Sequence, residues 1–372
     1  MKARAPKSVD LILLSLISIL VVIGFFIFSS ASLGLLARSG ASFSSVAFNQ
    51  FFFGIIGGGI ALIVTSAIYY RNWRQYALYI YIIGILFTLA VFIPGLGMTH
   101  SGATRWIDIG FTTIQPSEFL KVAFVIYIAS LLSGTHRQIE SWRYGFLPFI
   151  GVLATAGAVM LALPDTDTFM IMVGAGIAMF VAAGAKWKHI LMLALAGLAM
   201  LVVVALARPY VMDRITTFIN PGSDPLGSGY QIEQSLIAVG SGGFLGRGYG
   251  QSIQKFEYLP EPIGDSIFAV YAEEFGFLGS TILIFLLAFF TFRGFKIATQ
   301  AEDLFGMLLV VGFMTLIASQ AFLNIAAMLG VAPLSGLPLP FISHGGTALI
   351  AILASLGIVL NVSKYRLHDK RS

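Results

Sequence analysis

Ten apolar runs, each close to the length that crosses a lipid bilayer, divide this 372-residue sequence. The hydrocarbon core of a bilayer is about 30 Å thick, so a crossing helix needs about 20 mainly apolar residues. Hydrophobic residues make up 58% of the chain and charged residues only 10%, which excludes a soluble globular domain. The runs are continuous and do not alternate as the strands of a β-barrel do. The sequence predicts an all-α polytopic membrane protein with about ten transmembrane helices, at residues 10–30, 47–69, 76–95, 116–134, 144–163, 168–185, 189–207, 268–292, 304–328 and 346–363.

The basic residues predict how these helices are oriented. Ten spans place both termini on the same side of the membrane, and most basic residues fall on that side, namely Lys2, Arg4, Lys7, Arg71, Arg74, Arg137, Arg143, Lys186, Lys188, Arg293, Lys296, Lys364, Arg366, Lys370 and Arg371. Short loops rich in Lys and Arg stay in the cytoplasm, so both termini are predicted to be cytoplasmic. The opposite side holds the two long non-spanning segments, about 96–115 and about 208–267. We therefore expect any chemistry on the extracytoplasmic side.

The domain organisation is predicted to be simple. Residues 1–372 form one integral membrane domain, with the large extracytoplasmic loop 208–267 between the seventh and eighth helices. The absence of cysteine excludes disulfides and thiol chemistry. The glycine-dense segment 241–250 lacks the Gly-Lys-Ser/Thr end of a nucleotide-binding loop, so we expect it to let the backbone approach a bulky ligand or a neighbouring helix.

Asp265 is the first candidate for chemistry. It lies where the long polar loop meets an apolar span, four residues after Glu261 and eight before the pair Glu273 and Glu274. A carboxylate at the mouth of a membrane helix is costly to desolvate, so it needs a partner, a metal or a task. The alternative is a solvated loop end.

Glu118 and Lys121 form a second candidate pair. Pro116 suits the first position of a helix, and Glu118 and Lys121 then lie three apart on one helical face, where they can pair. The pair is either a structural ion pair or part of a catalytic site. Arg105, beside Trp106, is either an interfacial anchor or a clamp for a lipid phosphate.

Two further polar segments border the spans. Asp165 and Asp167 lie in a turn, where turn chemistry explains them, or they contribute to an acidic cavity that holds a divalent cation. Residues 336–346 form a non-helical segment that re-enters a span, which is tolerated only where it is buried in protein or lines a cavity. His344 in this segment is either a proton carrier or a hydrogen-bonding residue.

Ordered motifs along nearly the whole chain resemble the SEDS family (FtsW, RodA and SpoVE), with the FtsW-like branch slightly favoured. They read Gly102-Ala-Thr-Arg-Trp-Ile, Gln115-Pro-Ser-Glu-Phe-Leu-Lys121, Asp224-Pro-Leu-Gly-Ser-Gly-Tyr-Gln-Ile-Glu-Gln-Ser235, Val239-Gly-Ser-Gly-Gly-Phe-Leu-Gly-Arg-Gly248, Asp265-Ser-Ile-Phe-Ala-Val and Gly336-Leu-Pro-Leu-Pro-Phe-Ile-Ser. The resemblance implies a peptidoglycan glycosyltransferase that polymerises lipid II at the outer face of the bacterial cytoplasmic membrane. It also implies a partner, a class B penicillin-binding protein whose membrane helix packs near residues 304–363.

The resemblance assigns residues to the implied site. The essential aspartate of the family matches Asp265, and its other site residues match Glu118, Lys121, Arg105, Gln115 and Asp165. Substrate contacts are also expected from the set Gln234, Ser235, Ser343 and Arg214. The chain departs from the usual family pattern at Leu163, Asp167, Ile263, Gly264 and His344, which affects the expected substrate contacts and leaves the carboxylates in place.

The implied reaction joins an activated sugar to a sugar hydroxyl and needs one general base. We expect Asp265 to be that base, and a Mg²⁺ or Mn²⁺ bound at Asp265 to offset charge on the departing pyrophosphate together with Arg105. Two alternatives are a lipid II flippase or proton-coupled transporter, and a scaffold for cell-wall enzymes. A transporter should place its ionisable groups near the middle of the bilayer, whereas these residues cluster at its outer border.

Overall fold

The computed structural model describes residues 8–37, 43–100, 103–110, 112–224 and 227–366. Its helices are α1 Leu11–Ser32, α2 Phe43–Asn49, α3 Gly58–Ala67, α4 Asn72–Leu89, α5 Pro116–Gly134, α6 Leu147–Ala162, α7 Thr166–Ala182, α8 Trp187–Ala207, α9 Pro209–Ile219, α10 Ser228–Ser241, α11 Ile267–Thr299, α12 Leu304–Met328 and α13 Gly346–Lys364. Its strands are β1 Gly97–His100, β2 Ala103–Asp108 and β3 Thr113–Ile114. A π-helical stretch, Gln50–Gly57, joins α2 to α3.

The predicted helical membrane architecture is confirmed. Within the described residues, nine helical segments are long and apolar enough to cross a bilayer, and α7 adds a tenth apolar helix of 17 residues. Each coincides with one of the predicted runs to within several residues. The largest difference is α11, which continues to Thr299 because the residues after 292 still favour a helix.

The described ends of the chain meet at one end of the helical bundle. Asp10 caps α1 and accepts hydrogen bonds from Arg293 of α11 and Arg366 beyond α13, both at 2.5 Å. Asp265 precedes the opposite end of α11, roughly 40 Å away at 1.5 Å per residue. This agrees with an even number of spans; that the shared end faces the cytoplasm stays a prediction. Lys2, Arg4, Lys7, Lys370 and Arg371, which entered the charge comparison, lie outside the described residues.

The bundle has a buried centre and a lipid-facing periphery. α12 and α13 are the most enclosed spans, with 72% and 78% of their apolar windows buried, and α5 follows. α8 is buried over only 11% of its window, so nearly all its side chains face outward. The most enclosed helices also carry polar residues that face the interior of the bundle. These polar residues place a site at one end of the bundle.

A small three-stranded sheet, which the sequence did not predict, accompanies the confirmed helical architecture. Strands β1, β2 and β3 pair antiparallel in that order, with Trp106 opposite Met98 and Ile107 opposite Ile114. The strands are short and partly polar, so hydropathy gives them no signal, and their pairing satisfies backbone groups that a loop at the membrane border would leave unpaired. The sheet fixes Arg105 close to the start of α5.

α11 is broken at Gly276, which the continuous apolar run did not predict. Gly276 has φ 64° and ψ −163°, a region open essentially only to glycine. The backbone of the glycine-dense segment fills the break: Phe277 N–H donates to the Gly243 carbonyl at 2.9 Å, and Gly248 N–H donates to the Glu274 carbonyl at 2.9 Å. The glycines therefore permit the close approach of a neighbouring helix, one of the two predicted readings.

Replacing Gly276 by Ala is expected to destabilise the fold. An added Cβ would lie 2.3 Å from the Gly246 nitrogen, and the backbone conformation there is unfavourable for any other residue. Together these effects should lower the free energy of unfolding by roughly 2–4 kcal/mol. Gly59→Ala in α3 is the control, because an added Cβ there meets nothing within 4 Å. Thermal melting in detergent should separate the two variants; equal melting temperatures would contradict the role of the break.

Candidate active site

A cavity of about 670 Å³ opens where several chain segments end beside one another. Its walls come from the loop before α11, the re-entrant segment before α13, strand β2 and the first turns of α5 and α7, with α9 at its edge. The volume lies within the range of ordinary ligand sites. Of the residues predicted for the site, the cavity brings together Asp265, Glu118, Arg105, Gln115, Asp165 and Arg214.

Asp265 is partly buried at the cavity wall, two residues before α11. Its Oδ1 accepts hydrogen bonds from Gln231 Nε2 at 3.2 Å and from Ser266 Oγ at 3.4 Å. Gln231 Nε2 also donates to Ser266 Oγ at 3.0 Å, which fixes the amide against the carboxylate. The carboxylate is therefore held by α10 and by the start of α11.

The pKa of Asp265 is raised to about 7. Burial is the largest cause, because removing water disfavours the charged form, and the like charge of Glu261 adds to it. The hydrogen bonds from Gln231 and Ser266 and the charge of Arg214 act in the opposite direction. A carboxyl that titrates near neutral pH can accept a proton from a substrate and release it again.

Glu118 and Lys121 form the predicted pair on α5. Lys121 Nζ lies 2.9 Å from Glu118 Oε1 and also donates to Gln320 Oε1 of α12 at 3.0 Å. Both side chains are almost fully buried. Glu118 lines the cavity, and its Oε2 has no hydrogen-bond partner among the described residues. The pair is thus structural through Lys121, and the second carboxylate oxygen of Glu118 is buried beside it.

Asp165, Arg105 and Gln115 line the far side of the cavity. Arg105 Nε donates to the Leu163 carbonyl at 3.3 Å, and its Nη2 donates to that of Pro164, so the guanidinium holds the turn that carries Asp165. Burial raises the pKa of the Asp165 carboxyl, and the charge of Arg105 partly offsets this. Gln115 precedes α5, and its backbone N–H donates to Thr347 Oγ1 at 3.4 Å.

Arg214 and Asp167 pair with each other at the cavity edge. Arg214 Nη1 lies 2.6 Å from Asp167 Oδ2, which also accepts from the Gly336 N–H at 3.1 Å. Asp167 therefore ties α9 and the re-entrant segment to α7, and its carboxylate is engaged by a cation of the chain itself. Arg214 lines the cavity as expected of a substrate contact.

Three predicted substrate contacts lie elsewhere. Ser235 is fully buried and donates to the Gln231 carbonyl at 2.7 Å, and Gln234 is not among the described residues that line the cavity. Ser343 is buried, and its hydroxyl donates to the Gly264 carbonyl at 2.6 Å. None of the three lines this cavity, and their direct contact with a substrate stays a prediction. Gln231, one helical turn before Gln234, is the residue that reaches Asp265.

His344 lies in the cavity wall. Its ring stacks on Phe28 with centroids 5.8 Å apart, and its backbone N–H donates to the Ile263 carbonyl at 2.7 Å. Desolvation lowers the pKa of the imidazole, and the charge of Glu261 acts in the opposite direction. Both predicted roles of the ring, proton carrier and hydrogen-bonding residue, stay predictions.

Glu273 and Glu274, which follow Asp265 closely in sequence, belong to a separate buried cluster. Glu274 pairs with Lys255 Nζ at 2.7 Å and accepts from Ser30 Oγ at 2.6 Å. Glu273 accepts from Ser252 Oγ at 2.5 Å. The cluster joins α1, the loop and α11, and it leaves Asp265 and Glu261 as the carboxylates of the loop that face the cavity.

The described residues contain no group of three or more His, Cys, Asp or Glu side chains arranged to hold a metal ion. Mg²⁺ needs no such cage, because it commonly binds through one or two carboxylates together with substrate phosphates and water. Asp265 and Glu261 fit that kind of donor set, since both line the same cavity.

The bundle of apolar helices with a polar cavity at one end defines a multi-pass membrane protein. Residues 10–368 match the family model FTSW_RODA_SPOVE, described as "Cell cycle protein". The chain therefore belongs to the FtsW/RodA/SpoVE family.

Curated relatives and solved structures agree with this. Stage V sporulation protein E of Bacillus subtilis is 41% identical, covering 96% of this chain and 98% of the relative. A probable peptidoglycan glycosyltransferase FtsW of Geobacter sp. is 36% identical, covering 97% and 98%. A solved structure titled "Structural coordination of polymerization and crosslinking by a peptidoglycan synthase complex" superposes with a TM-score of 0.80 at 26% identity, covering 97% and 99%. Rod shape determining protein RodA of Thermus thermophilus shares the fold, with a TM-score of 0.69 at 24% identity, covering 97% and 98%.

Proposed function

We propose that this protein is a peptidoglycan glycosyltransferase that polymerises lipid II into β-1,4 glycan strands, with Asp265 as its general base. The observation that carries the proposal is a single cavity whose wall holds Asp265 with its pKa raised to about 7. The relatives named as probable peptidoglycan glycosyltransferases, which match nearly the whole chain, support the same reaction.

The chemistry requires little beyond such a base. The acceptor 4-hydroxyl gives its proton to the Asp265 carboxylate, and the oxygen attacks the anomeric carbon of the donor sugar. The bond from that carbon to the pyrophosphate breaks, and undecaprenyl pyrophosphate leaves with the electron pair. The configuration at the anomeric carbon inverts from α to β. The donor carries its own leaving group, so no nucleotide is needed outside the cytoplasm.

A divalent cation fits this site. Asp265, with Glu261 beside it in the same cavity, would hold Mg²⁺ or Mn²⁺ together with the substrate pyrophosphate. When bound, the cation supplies charge neutralisation at the leaving group. Arg105 and Arg214 bring positive charge to the cavity from the chain itself.

The cavity is placed on the extracytoplasmic side in this proposal. Its support is the positive-inside pattern of the short loops, and the fact that Asp265 and the described termini lie at opposite ends of α11. The expected location is the bacterial cytoplasmic membrane, with lipid II entering the cavity from the outer leaflet.

The test is polymerisation of labelled lipid II by the purified protein in proteoliposomes, with and without a class B penicillin-binding protein and with and without EDTA. The proposal expects glycan strands that Mg²⁺ increases and EDTA decreases. Transfer of lipid II across the bilayer without any glycan product would instead establish the flippase. Neither product nor transfer, with the partner present, would leave only a scaffold.

The expected partner is a class B penicillin-binding protein transpeptidase. Support comes from the solved structure of a peptidoglycan synthase complex, one chain of which matches 97% of this chain in fold. The predicted contact near residues 304–363 stays a proposal, and the structure restricts it. α12 and α13 are mostly enclosed, so the adjoining exposed faces of α3 and α11 would have to supply much of the contact.

Replacing Glu261 by Gln is expected to shift the pH dependence of polymerisation. Asp265 acts in its ionised form, so activity rises with pH through its pKa, near 7. The charge of Glu261 raises that pKa, so its removal should move the rising limb to lower pH. Profiles of kcat/KM at a fixed Mg²⁺ concentration measure the shift. Glu233→Gln, an exposed carboxylate on α10, is the control; a shift in both variants or in neither would contradict the assignment.

A further inference from the structure

Three successive backbone carbonyl groups, at residues 263–265, hold the end of the loop before α11 in place. The carbonyl of Ile263 accepts from the His344 N–H at 2.7 Å, and that of Gly264 accepts from Ser343 Oγ at 2.6 Å. The carbonyl of Asp265 itself accepts from Asn324 Nδ2 at 2.7 Å. The donors come from the re-entrant segment and from α12, two parts of the chain that the predicted site did not include as supports for Asp265.

Asn324 is the member of this set that is anchored in the membrane bundle. It is fully buried in α12, and its Nδ2 also donates to the Leu337 carbonyl at 2.8 Å. Its Oδ1 has no hydrogen-bond partner among the described residues, so the amide acts only as a donor there. Burying an amide with one unpaired oxygen in an apolar helix costs free energy. The two hydrogen bonds that Asn324 Nδ2 donates explain why an asparagine is present at this position.

A second amide one turn earlier extends the same support. Gln320 Nε2 donates to the Pro338 carbonyl at 2.8 Å, and its Oε1 accepts from Lys121. Residues four apart share one helical face, so Gln320 and Asn324 both point toward the re-entrant segment. α12 thus connects the Glu118–Lys121 pair to the backbone of Asp265 through two amides.

We propose that Asn324, with Ser343, is a positioning residue that fixes the backbone of Asp265 at the cavity wall. This rests on the proposed function, because positioning matters only if Asp265 acts on a substrate. The hydrogen bond from the Gln231 side chain orients the Asp265 carboxylate. It does not fix the position of the Asp265 backbone relative to α12. A base displaced by about 1 Å loses much of its effect, on the order of 10²-fold.

The experiment compares Asn324→Leu with Asn361→Leu. Asn361 is a matched control, a buried asparagine of α13 whose Nδ2 donates to the Ser66 carbonyl and whose Oδ1 accepts from the Tyr70 N–H, both at 2.8 Å. Hydrogen exchange detected by mass spectrometry on the full-length protein in nanodiscs reports the loop directly. Exchange of the peptides over residues 259–267 should be faster in Asn324→Leu and unchanged in Asn361→Leu.

Kinetics with lipid II supply the second measurement. Asn324→Leu should lower kcat by about 10–100-fold with KM within about twofold of wild type, and Ser343→Ala should change kcat in the same direction. Unchanged exchange at residues 259–267, an unchanged kcat, or an equal fall in kcat for Asn361→Leu would each overturn the proposal. If Asn324→Leu does not fold, Ser343→Ala decides it on the same two measurements. A wild-type protein that makes no glycan would refute the proposed function, and the exchange data would still show whether the loop is held by α12.

Discussion

Polymerisation of lipid II should fall by about 10²–10⁴-fold when Asp265 is replaced by Asn, which is the usual contribution of a general base. The substitution keeps the shape of the side chain and removes the atom that accepts the proton. KM should change little, because the change removes a transition-state interaction and leaves the cavity walls intact. The measurement is steady-state glycan synthesis by the purified protein with its transpeptidase partner present.

Two controls separate a lost base from a lost fold. Asp213→Asn changes an exposed aspartate of α9 and should leave the rate unchanged. Thermal melting provides the second control, because a raised pKa means that the fold disfavours the ionised Asp265. The wild type should therefore lose stability relative to Asp265→Asn as pH rises from the ordinary value of 3.8 to about 7, and the difference should then stay constant. Undiminished glycan synthesis by Asp265→Asn would refute the base assignment.

The largest loss of stability is expected from Lys255→Met. Lys255 is completely buried and pairs with Glu274, and the substitution would leave the carboxylate of Glu274 without its cation. Breaking a buried ion pair by removing one partner costs about 3–5 kcal/mol, because the remaining charge stays desolvated. The free energy of unfolding in detergent micelles measures this directly.

Lys186→Met is the matched control for that substitution. Lys186 also pairs with a glutamate, Glu140, at 2.9 Å, but the two side chains are 54% and 62% exposed. Exposed pairs contribute about 0–1 kcal/mol, so this variant should unfold nearly as the wild type does. Similar losses for the two lysines would show that burial does not decide the strength of these pairs here.

The helical spans could be predicted from the sequence because span length is a property of local composition. The break in α11 could not, since it depends on contacts with a segment about 30 residues earlier in the chain. The strands were missed for a similar reason: Ala103–Asp108 is short and pairs with residues whose partnership only the folded chain reveals.

In the site, too, the residues marked by local sequence could be predicted, whereas those defined by contacts with distant segments could not. Asp265, Glu118, Arg105 and Asp165 could be proposed from their places at helix ends and from the family resemblance, and the cavity joins them. Gln231 was not proposed as a partner of Asp265, because that contact depends on how α10, which begins at Ser228, packs against the loop before α11. Gln320 and Asn324 give no local signal, because two amides in a long apolar helix do not reveal which carbonyls they reach.

The three bonds to the carbonyls of residues 263–265 also account for the unusual Ile263 and Gly264 of this chain. Every amino acid has a backbone carbonyl oxygen, so these three hydrogen bonds do not depend on the side chains of the residues before Asp265. Position 264 has room for a larger residue as well, since an added Cβ would come no nearer than 3.4 Å to any neighbouring atom. Residues 263 and 264 can therefore change during evolution, and with them the surface that contacts the sugar. The position of the Asp265 carboxylate would stay the same.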